Sequence, residues 1–348
     1  MNKTRLDDLS GGSQATSGDN FLQQGVMAAL AGRLARFSGI GKIALLCVFL
    51  MLPLMIQSNY AMRVIIYICL YIVLAMGLNV VMGFTGLLNI GHAAFYATGA
   101  YTTAILMKQF GMSFWLTVPA GMTLGVVLGV AIGLPTLRLR DDYLAMVTLG
   151  FGQIVYIVAN NWMGLTRGPR GIADIPSPFL GWGDWAIPID SYTAFYYLIF
   201  SFVLFTIFAC IRVRDSRVGL AWTAIREDED VAAVMGVNLV LYKTMSFAFS
   251  AALGALAGSF FAVFQHFVSP NSFTILESVI IITIPIIGGL GSIPGTIVGA
   301  VIMIGLPEIF RAASEYRMVV VGAFMVLMMI FKPEGLFGKK QFQQMYKA

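Results

Sequence analysis

The feature that most constrains this chain is a series of long apolar runs separated by short polar stretches. About twenty apolar residues cross the hydrocarbon core of a bilayer, and shorter runs borrow flanking residues or dip in and return. Of the 348 residues, 58% are hydrophobic and only 11% are charged, which is too little charge for a water-soluble surface. The pattern predicts an all-α polytopic membrane protein with about ten transmembrane helices, and eight at the least. The runs lie near residues 43–58, 62–82, 92–107, 114–134, 143–159, 193–211, 244–265, 276–288, 295–309 and 318–331.

The positions of lysine and arginine predict how the chain is oriented. With the N-terminus in the cytoplasm and ten crossings, only six of the 22 Lys and Arg residues fall on the outer side. These six are Arg63, Lys108, Arg167, Arg170, Arg311 and Arg317. Because cytoplasmic loops of membrane proteins are enriched in Lys and Arg, we expect both termini to be cytoplasmic.

Two glycine-rich stretches, 83–100 and 288–300, look alike, and each follows an apolar run. One interpretation is a broken or re-entrant segment, in which freed backbone groups line a path through the protein. The other is close packing of helices through small residues, which we favour for Gly121, Gly125, Gly129 and Gly133 at every fourth position. For the two longer stretches Asn89 and Pro294 interrupt the pattern, which favours the path.

A charged interlude at 212–243, RVRDSRVGLAWTAIREDEDVAAVMGVNLVLYK, separates two apolar runs. Its second half predicts one short amphipathic helix, with Gly236 ending it in a left-handed turn and Asn238 capping the next helix. Such a helix, rich in small residues, suits docking onto another protein. From these residues alone, a solvated loop that only joins two spans is an equally good interpretation.

Residues that carry chemistry are scarce. There is no G-x-x-x-x-G-K-[ST] phosphate-binding loop, so the chain is not expected to hydrolyse ATP. His92 and His266 are far apart, and Cys47, Cys69 and Cys210 lie in apolar runs without metal-binding spacing. Ionisable groups in or beside the spans, among them Glu277 and Glu308, lie near predicted ends and form no convincing proton relay. We therefore predict no enzyme activity, no metal or other cofactor in this chain and no nucleic-acid partner, and we attribute the net charge of +5 to orientation in the membrane.

Seven sequence blocks together resemble the permease subunits of branched-chain amino-acid ABC importers, and specifically the M-type subunit. The resemblance covers about residues 60–338, in the family's order. The blocks are GLLNIGHAAFYATGAY (86–101), LRLRDDYLAMVTLGFGQIV (137–155), GPRGI (168–172), REDEDVAAVMGVN (226–238), FVSPNSFTILES (267–278), GGLGSIPGTIVGA (288–300) and KPEGLFG (332–338).

The resemblance implies a type-II ABC importer permease-like fold in the bacterial inner membrane. The implied partners are a second homologous permease, two ATP-binding subunits, a periplasmic substrate-binding protein and membrane lipid. The implied domains are a cytoplasmic N-terminal extension (1–40), a transmembrane permease domain (41–338) and a cytoplasmic tail (339–348). The substrate would be leucine, isoleucine or valine. A urea or short-amide importer is the alternative within the class, and an ion or water channel, which needs no docking helix, is the alternative outside it.

The resemblance also assigns roles to residues. The 212–243 stretch becomes the coupling loop that contacts the ATPase, because its sequence is similar to the loose EAA…G signature of importer permeases. The coupling residues are Ala221, Ala224, Glu229, Ala232, Ala233 and Gly236. An apolar amino acid carries a zwitterionic backbone, so a few polar or backbone groups are expected along the translocation path. These candidates are Asn79, Thr85, Gly86, Asn89, His92, Tyr101, Gly288 and Gly291.

Overall fold

A computed structural model describes residues 58–136, 141–180 and 187–309, together with isolated positions at 49, 51–53, 322, 326, 330–332 and 335–337. The predicted N-terminal extension (1–40) and tail (339–348) lie outside the described residues, as do most of the first and last apolar runs. The helices and strands of the fold belong to the unit that begins at Ser58.

The described chain is mostly helical, which confirms the predicted class. In the part of the chain that the structure describes, eight long α-helices match eight of the apolar runs, and two short helices lie between the fifth and the sixth long helix. The helices are α1 (Asn59–Asn79), α2 (His92–Phe110), α3 (Phe114–Thr136), α4 (Asp141–Asn161), α5 (Tyr192–Arg214), α6 (Arg217–Glu227), α7 (Glu229–Val234), α8 (Leu239–Gln265), α9 (Ile275–Gly288) and α10 (Ile293–Ile309). A π-helical turn (Val80–Phe84) continues α1, and short 3-10 turns lie at Gly168–Arg170 and Pro270–Phe273.

Six segments of the described chain are long and apolar enough to cross a membrane. They are Asn59–Phe84, Phe114–Leu134, Tyr143–Asn161, Tyr192–Arg214, Leu239–Gln265 and Pro270–Gly288. The helix α10 is apolar but shorter.

Four two-residue strands form two small antiparallel pairings in the loops. Strand β1 (Ile172–Ala173) pairs with β4 (Phe267–Val268), with Ile172 opposite Val268. Strand β2 (Phe179–Leu180) pairs with β3 (Ile187–Pro188). The first pairing holds the loop after α4 against the loop after α8.

Helix α8 forms the centre of the bundle and packs against α1, α2 and α3. The glycine row of α3 lies close to α8: a Cβ built on Gly125 would lie 2.9 Å from the Ala251 carbonyl oxygen, and one on Gly129 would lie 2.8 Å from the Ala251 Cβ. Small residues at every fourth position therefore let two helix backbones come together, as predicted for this row.

Candidate functional site

The predicted coupling loop folds as two short helices, so the prediction of one short amphipathic helix is wrong. Asp228 separates α6 from α7 with an extended backbone (φ −159°, ψ 115°), and its side chain accepts a hydrogen bond from the Val231 amide at 3.0 Å. An aspartate that caps a new helix start competes with continuation of the old helix. The two helices consequently need not share one axis.

The exit from the loop is formed as predicted. Gly236 has φ 86°, in the left-handed region, and its amide donates to the Ala233 carbonyl at 3.0 Å. The Asn238 side chain then caps α8 by accepting from the Leu241 amide at 3.1 Å. Glycine tolerates this backbone without the strain that a Cβ would add.

The inner side of the loop is anchored to the start of α8. The buried Trp222 of α6 donates from its indole Nε1 to the Tyr242 carbonyl at 2.7 Å. The Lys243 ammonium, whose side chain is 4% exposed, pairs with the Glu229 carboxylate of α7 at 2.5 Å. Both helices of the loop are therefore tied to the central helix of the bundle.

The outer side of α7 is apolar and faces away from the chain. Val231, Val234 and Met235 follow one another at helical spacing and are 57%, 88% and 79% exposed. We call these three residues the docking surface. On α6, Leu220 is 69% exposed. Apolar side chains this accessible beside a membrane protein's polar loop are typical of a protein contact.

The predicted coupling residues divide between the two sides of the loop. Ala224, Ala233 and Gly236 are exposed, and the last two are sequence neighbours of the docking surface. Ala221 and Ala232 are buried within the chain, and Glu229 forms the ion pair with Lys243. Sequence reasoning missed Val234 and Met235, although an apolar pair between Ala233 and Gly236 was a usable signal.

The two glycine-rich stretches meet each other and α6 at one point. The Arg226 guanidinium donates from Nη1 to the Gly83 carbonyl at 2.5 Å. A Cβ on Gly291 would lie 2.9 Å from the same carbonyl oxygen and 3.0 Å from Arg226 Nη1, while one on Gly86 would lie 3.2 Å from Arg226 Cγ. We call Gly83, Gly86 and Gly291 the glycine junction. Because glycine has no side chain, these three positions leave space for the Arg226 side chain.

Other hydrogen bonds complete the junction. The Gly291 amide donates to Asn79 Oδ1 at 2.9 Å. The amides of Leu336 and Phe337 donate to the carbonyls of Ile287 and Gly288 at 2.9 and 3.0 Å. Several backbone groups freed by the helix breaks are thus paired within the protein.

Arg226 itself is half-buried and was not among the predicted site residues. Burial lowers the pKa of its guanidinium, while the neighbouring Glu227 acts in the opposite direction. Arginine is so basic that it keeps its charge at neutral pH. An arginine in the otherwise apolar inner face of α6 was the available sequence signal.

The predicted path residues are brought together only in part. Asn79, Thr85, Asn89, His92 and Tyr101 are all buried. Asn79 belongs to the junction, Thr85 donates to the Val80 carbonyl at 3.3 Å, and Asn89 Oδ1 accepts from the Gly91 amide at 3.1 Å. His92 Nδ1 lies 3.4 Å from the Ser250 hydroxyl.

The glycines proposed for the path have different surroundings. Gly86 is exposed, whereas Gly288 is buried against the backbone of Gly295 in the following helix. Among the described residues, Asn89 Nδ2 and the Tyr101 hydroxyl have no hydrogen-bond partner.

Comparison with known proteins identifies the family. Residues 60–329 match the family described as the permease component of the branched-chain amino acid transport system. This chain belongs to that family. It is 39% identical over 313 residues to the LivM permease of Salmonella typhimurium, covering 84% of this chain and 73% of the relative. The LivM permease of Escherichia coli K12 is 38% identical over the same length. No solved structure matches.

A second kind of relative also matches. The LivH permease of Escherichia coli K12 is 27% identical over 293 residues, covering 79% of this chain and 93% of the relative. The chain is thus a membrane permease and not an enzyme, as predicted, with energy supplied by separate subunits. Similarity to both LivM and LivH supports a multi-subunit transporter of the inner membrane that contains a second permease.

Proposed function

We propose that this chain is the M-type permease subunit of an ABC importer for branched-chain amino acids. It would form the translocation path with a LivH-like permease, two ATP-binding subunits would drive it, and a periplasmic binding protein would deliver substrate. In this proposal the complete chain has about ten transmembrane helices in a type-II importer fold, both termini are cytoplasmic, and lipid covers the outer helix faces. The substrate class follows the names of its relatives, which are high-affinity branched-chain amino acid permeases.

The docking surface is the observation that carries the ATPase contact. A loop that only joins two spans needs no apolar surface, but α7 and the residue after it expose Val231, Val234 and Met235. We assign an ATP-binding subunit as the partner for two reasons. The loop lies between the spans Tyr192–Arg214 and Leu239–Gln265. Transport against a gradient also requires an energy source, and this chain has no ATP-binding motif.

Arg226 provides a route from this surface to the helix breaks. Its backbone belongs to α6, and its guanidinium binds the Gly83 carbonyl beside Gly291. Movement of the loop by the ATPase would therefore displace the ends of α1 and α9 together. This is how closure on ATP would reach the bundle and switch access from one side to the other.

A charge placed on the docking surface tests the ATPase contact. Met235→Glu would require a carboxylate to be buried in an apolar interface, which costs several kcal/mol when it finds no partner, on the order of the known desolvation penalty. We expect the variant to insert and to bind the second permease. The ATP-binding subunits should be lost on purification in detergent, together with leucine uptake in reconstituted vesicles.

Met163→Glu is the matched control for this experiment. Met163 is 64% exposed against 79% for Met235, but it lies in the loop after α4, one span away from the coupling loop. This variant should retain the ATP-binding subunits. If Met235→Glu retains them as well and imports leucine normally, α7 is not the contact.

A further inference from the structure

An acidic side chain points into the bundle from one of the membrane spans. Glu277 lies in the span Pro270–Gly288 and shares a face of α9 with the buried Ile281, Ile284 and Gly288, at spacings of four, seven and eleven residues. Its carboxylate accepts a hydrogen bond from the Tyr71 hydroxyl of α1 at 2.6 Å. The sequence places this residue near the end of a span, and in the structure it lies in the first turn of α9 with its carboxylate directed to α1.

Glu277 has no cationic partner in the described part of the chain. The ion pairs there are Lys108–Asp174, Arg214–Asp215 and Lys243–Glu229. A carboxylate within a span is costly unless a cation or several donors compensate it, and such residues usually mark a binding site or pathway. One phenol supplies one donor, so most of the carboxylate's capacity as an acceptor remains unused.

A row of polar side chains, the polar track, leads from the N-terminal end of α1 to this carboxylate. Arg63, Tyr67 and Tyr71 lie four residues apart along one side of α1, in a stretch that is otherwise apolar from Ala61 to Leu78. Arg63 donates to Gln265 Oε1 at 3.2 Å, and Gln265 donates from Nε2 to the Tyr67 hydroxyl. Arg63 is exposed, so the track begins at the surface and extends about 12 Å along the helix to Tyr71. Polar groups in this row cannot face lipid without a large cost.

Aromatic side chains are part of the track and of the helices packed beside it. Tyr67 packs edge-on against Phe264 at 5.7 Å between centroids, and Tyr96 packs against Phe261 and Phe273 at 5.2 and 4.9 Å. Ring faces attract an ammonium group and also accept an aliphatic side chain. A carboxylate set among aromatic rings therefore matches a small molecule with an ammonium at one end and an apolar body.

We propose that Glu277 binds the α-ammonium group of an apolar amino acid during its passage through the permease. The Tyr71 hydroxyl is the positioning group that holds the carboxylate, and Tyr67 continues the track towards the surface. Arg63 is too far along α1 to hold the carboxylate of the same molecule at the same time, so it contacts substrate only at the mouth. This assignment rests on the proposed function, because it takes the transported solute to be a free amino acid.

Direct binding to the purified transporter tests the assignment. The complex of both permeases and the ATP-binding subunits, without binding protein, is titrated with leucine and with 4-methylpentanoate, which lacks the ammonium group. We expect wild type to bind leucine and not the analogue. Glu277→Gln should weaken leucine binding at least tenfold, and Tyr71→Phe should weaken it less, because the charge remains. Glu308→Gln, the same change in α10, is the control and should bind leucine as wild type does.

Transport measurements separate this proposal from the proposed function. With leucine-loaded binding protein, Glu277→Gln vesicles should retain stimulated ATP hydrolysis while leucine imported per ATP falls at least tenfold. If the variant does not assemble, Tyr71→Phe decides, and unchanged leucine binding in it overturns the proposal. A Glu277→Gln transporter that binds and imports leucine normally overturns only the Glu277 site. A wild-type transporter that imports no branched-chain amino acid overturns the proposed function and the site with it.

Discussion

At the scale of single residues, the glycine junction shows that a sequence can predict one side of a close contact but not the residue that approaches it. Glycine-rich stretches signal that a backbone must come close to something, and Gly86 and Gly291 both adopt positive φ values, 81° and 79°. The sequence does not say what approaches. Arg226 is 143 residues from Gly83, and no local pattern links them. Only the folded structure shows this contact, and with it the way in which α6 reaches the helix breaks.

Removing the guanidinium tests whether this contact transmits movement. Arg226→Met keeps the length and apolar packing of the side chain but leaves the Gly83 carbonyl without this donor, which costs about 1–3 kcal/mol. We expect the transporter to assemble with its ATP-binding subunits and to hydrolyse ATP, while leucine uptake per ATP falls at least tenfold.

Arg217→Met is the control within the same helix. Arg217 is exposed at the first turn of α6, so its replacement should leave uptake per ATP unchanged. Equal coupling in the two variants would mean that Arg226 only stabilises the loop.

At the scale of helices, hydropathy predicted most elements because a span must satisfy its backbone internally and be apolar throughout. The helices α1 to α5 and α8 to α10 lie where the runs predicted. The coupling loop was predicted less well, because Asp228 can either face solvent within one helix or cap a second one. Its backbone conformation decides this, and the pattern of apolar residues does not.

The contact between α3 and α8 can be tested with two glycine-to-alanine variants that should change the thermal stability in opposite directions. Gly129→Ala would place a Cβ 2.8 Å from that of Ala251, so the two helices must separate. Overpacking of this kind costs about 1–3 kcal/mol. A Cβ on Gly150 of α4 has nothing within 4 Å, and there alanine gains helix propensity. In the purified complex we expect a lower Tm for Gly129→Ala and an equal or higher Tm for Gly150→Ala. A Tm for Gly129→Ala at or above that of Gly150→Ala would show that the row is not a tight contact.

At the scale of the whole molecule, the candidate site combines features of very different predictability. The family blocks and the apolar spans could be predicted because each is local in sequence. The pairing of Glu277 with Tyr71 could not, because it joins helices 206 residues apart. The sequence also does not show which residues of α6 and α7 are buried. Ala232 and Ala233 are neighbours with identical side chains, yet only Ala232 is buried. Long-range packing decides which residue of a short motif faces a partner.

The distribution of Lys and Arg predicts the orientation of the molecule, and two cysteines can test it. In a version lacking Cys47, Cys69 and Cys210, single cysteines replace Gly164, in the loop after α4, and Asp215, at the end of α5. A Cβ at Gly164 has nothing within 4 Å, and the Asp215 side chain is 59% exposed, so both positions admit a reagent. One crossing, Tyr192–Arg214, separates them. Arg212, Arg214 and Arg217 cluster at the inner end of that crossing, which favours the cytoplasm for Asp215. A membrane-impermeant maleimide should therefore label Gly164→Cys in intact spheroplasts and Asp215→Cys only in inside-out vesicles. Labelling of both positions from one side would mean that α5 does not cross the membrane. Labelling of Asp215→Cys in spheroplasts and of Gly164→Cys only in inside-out vesicles would invert the orientation. The docking surface would then lie on the outer side of the membrane, where no ATPase could reach it.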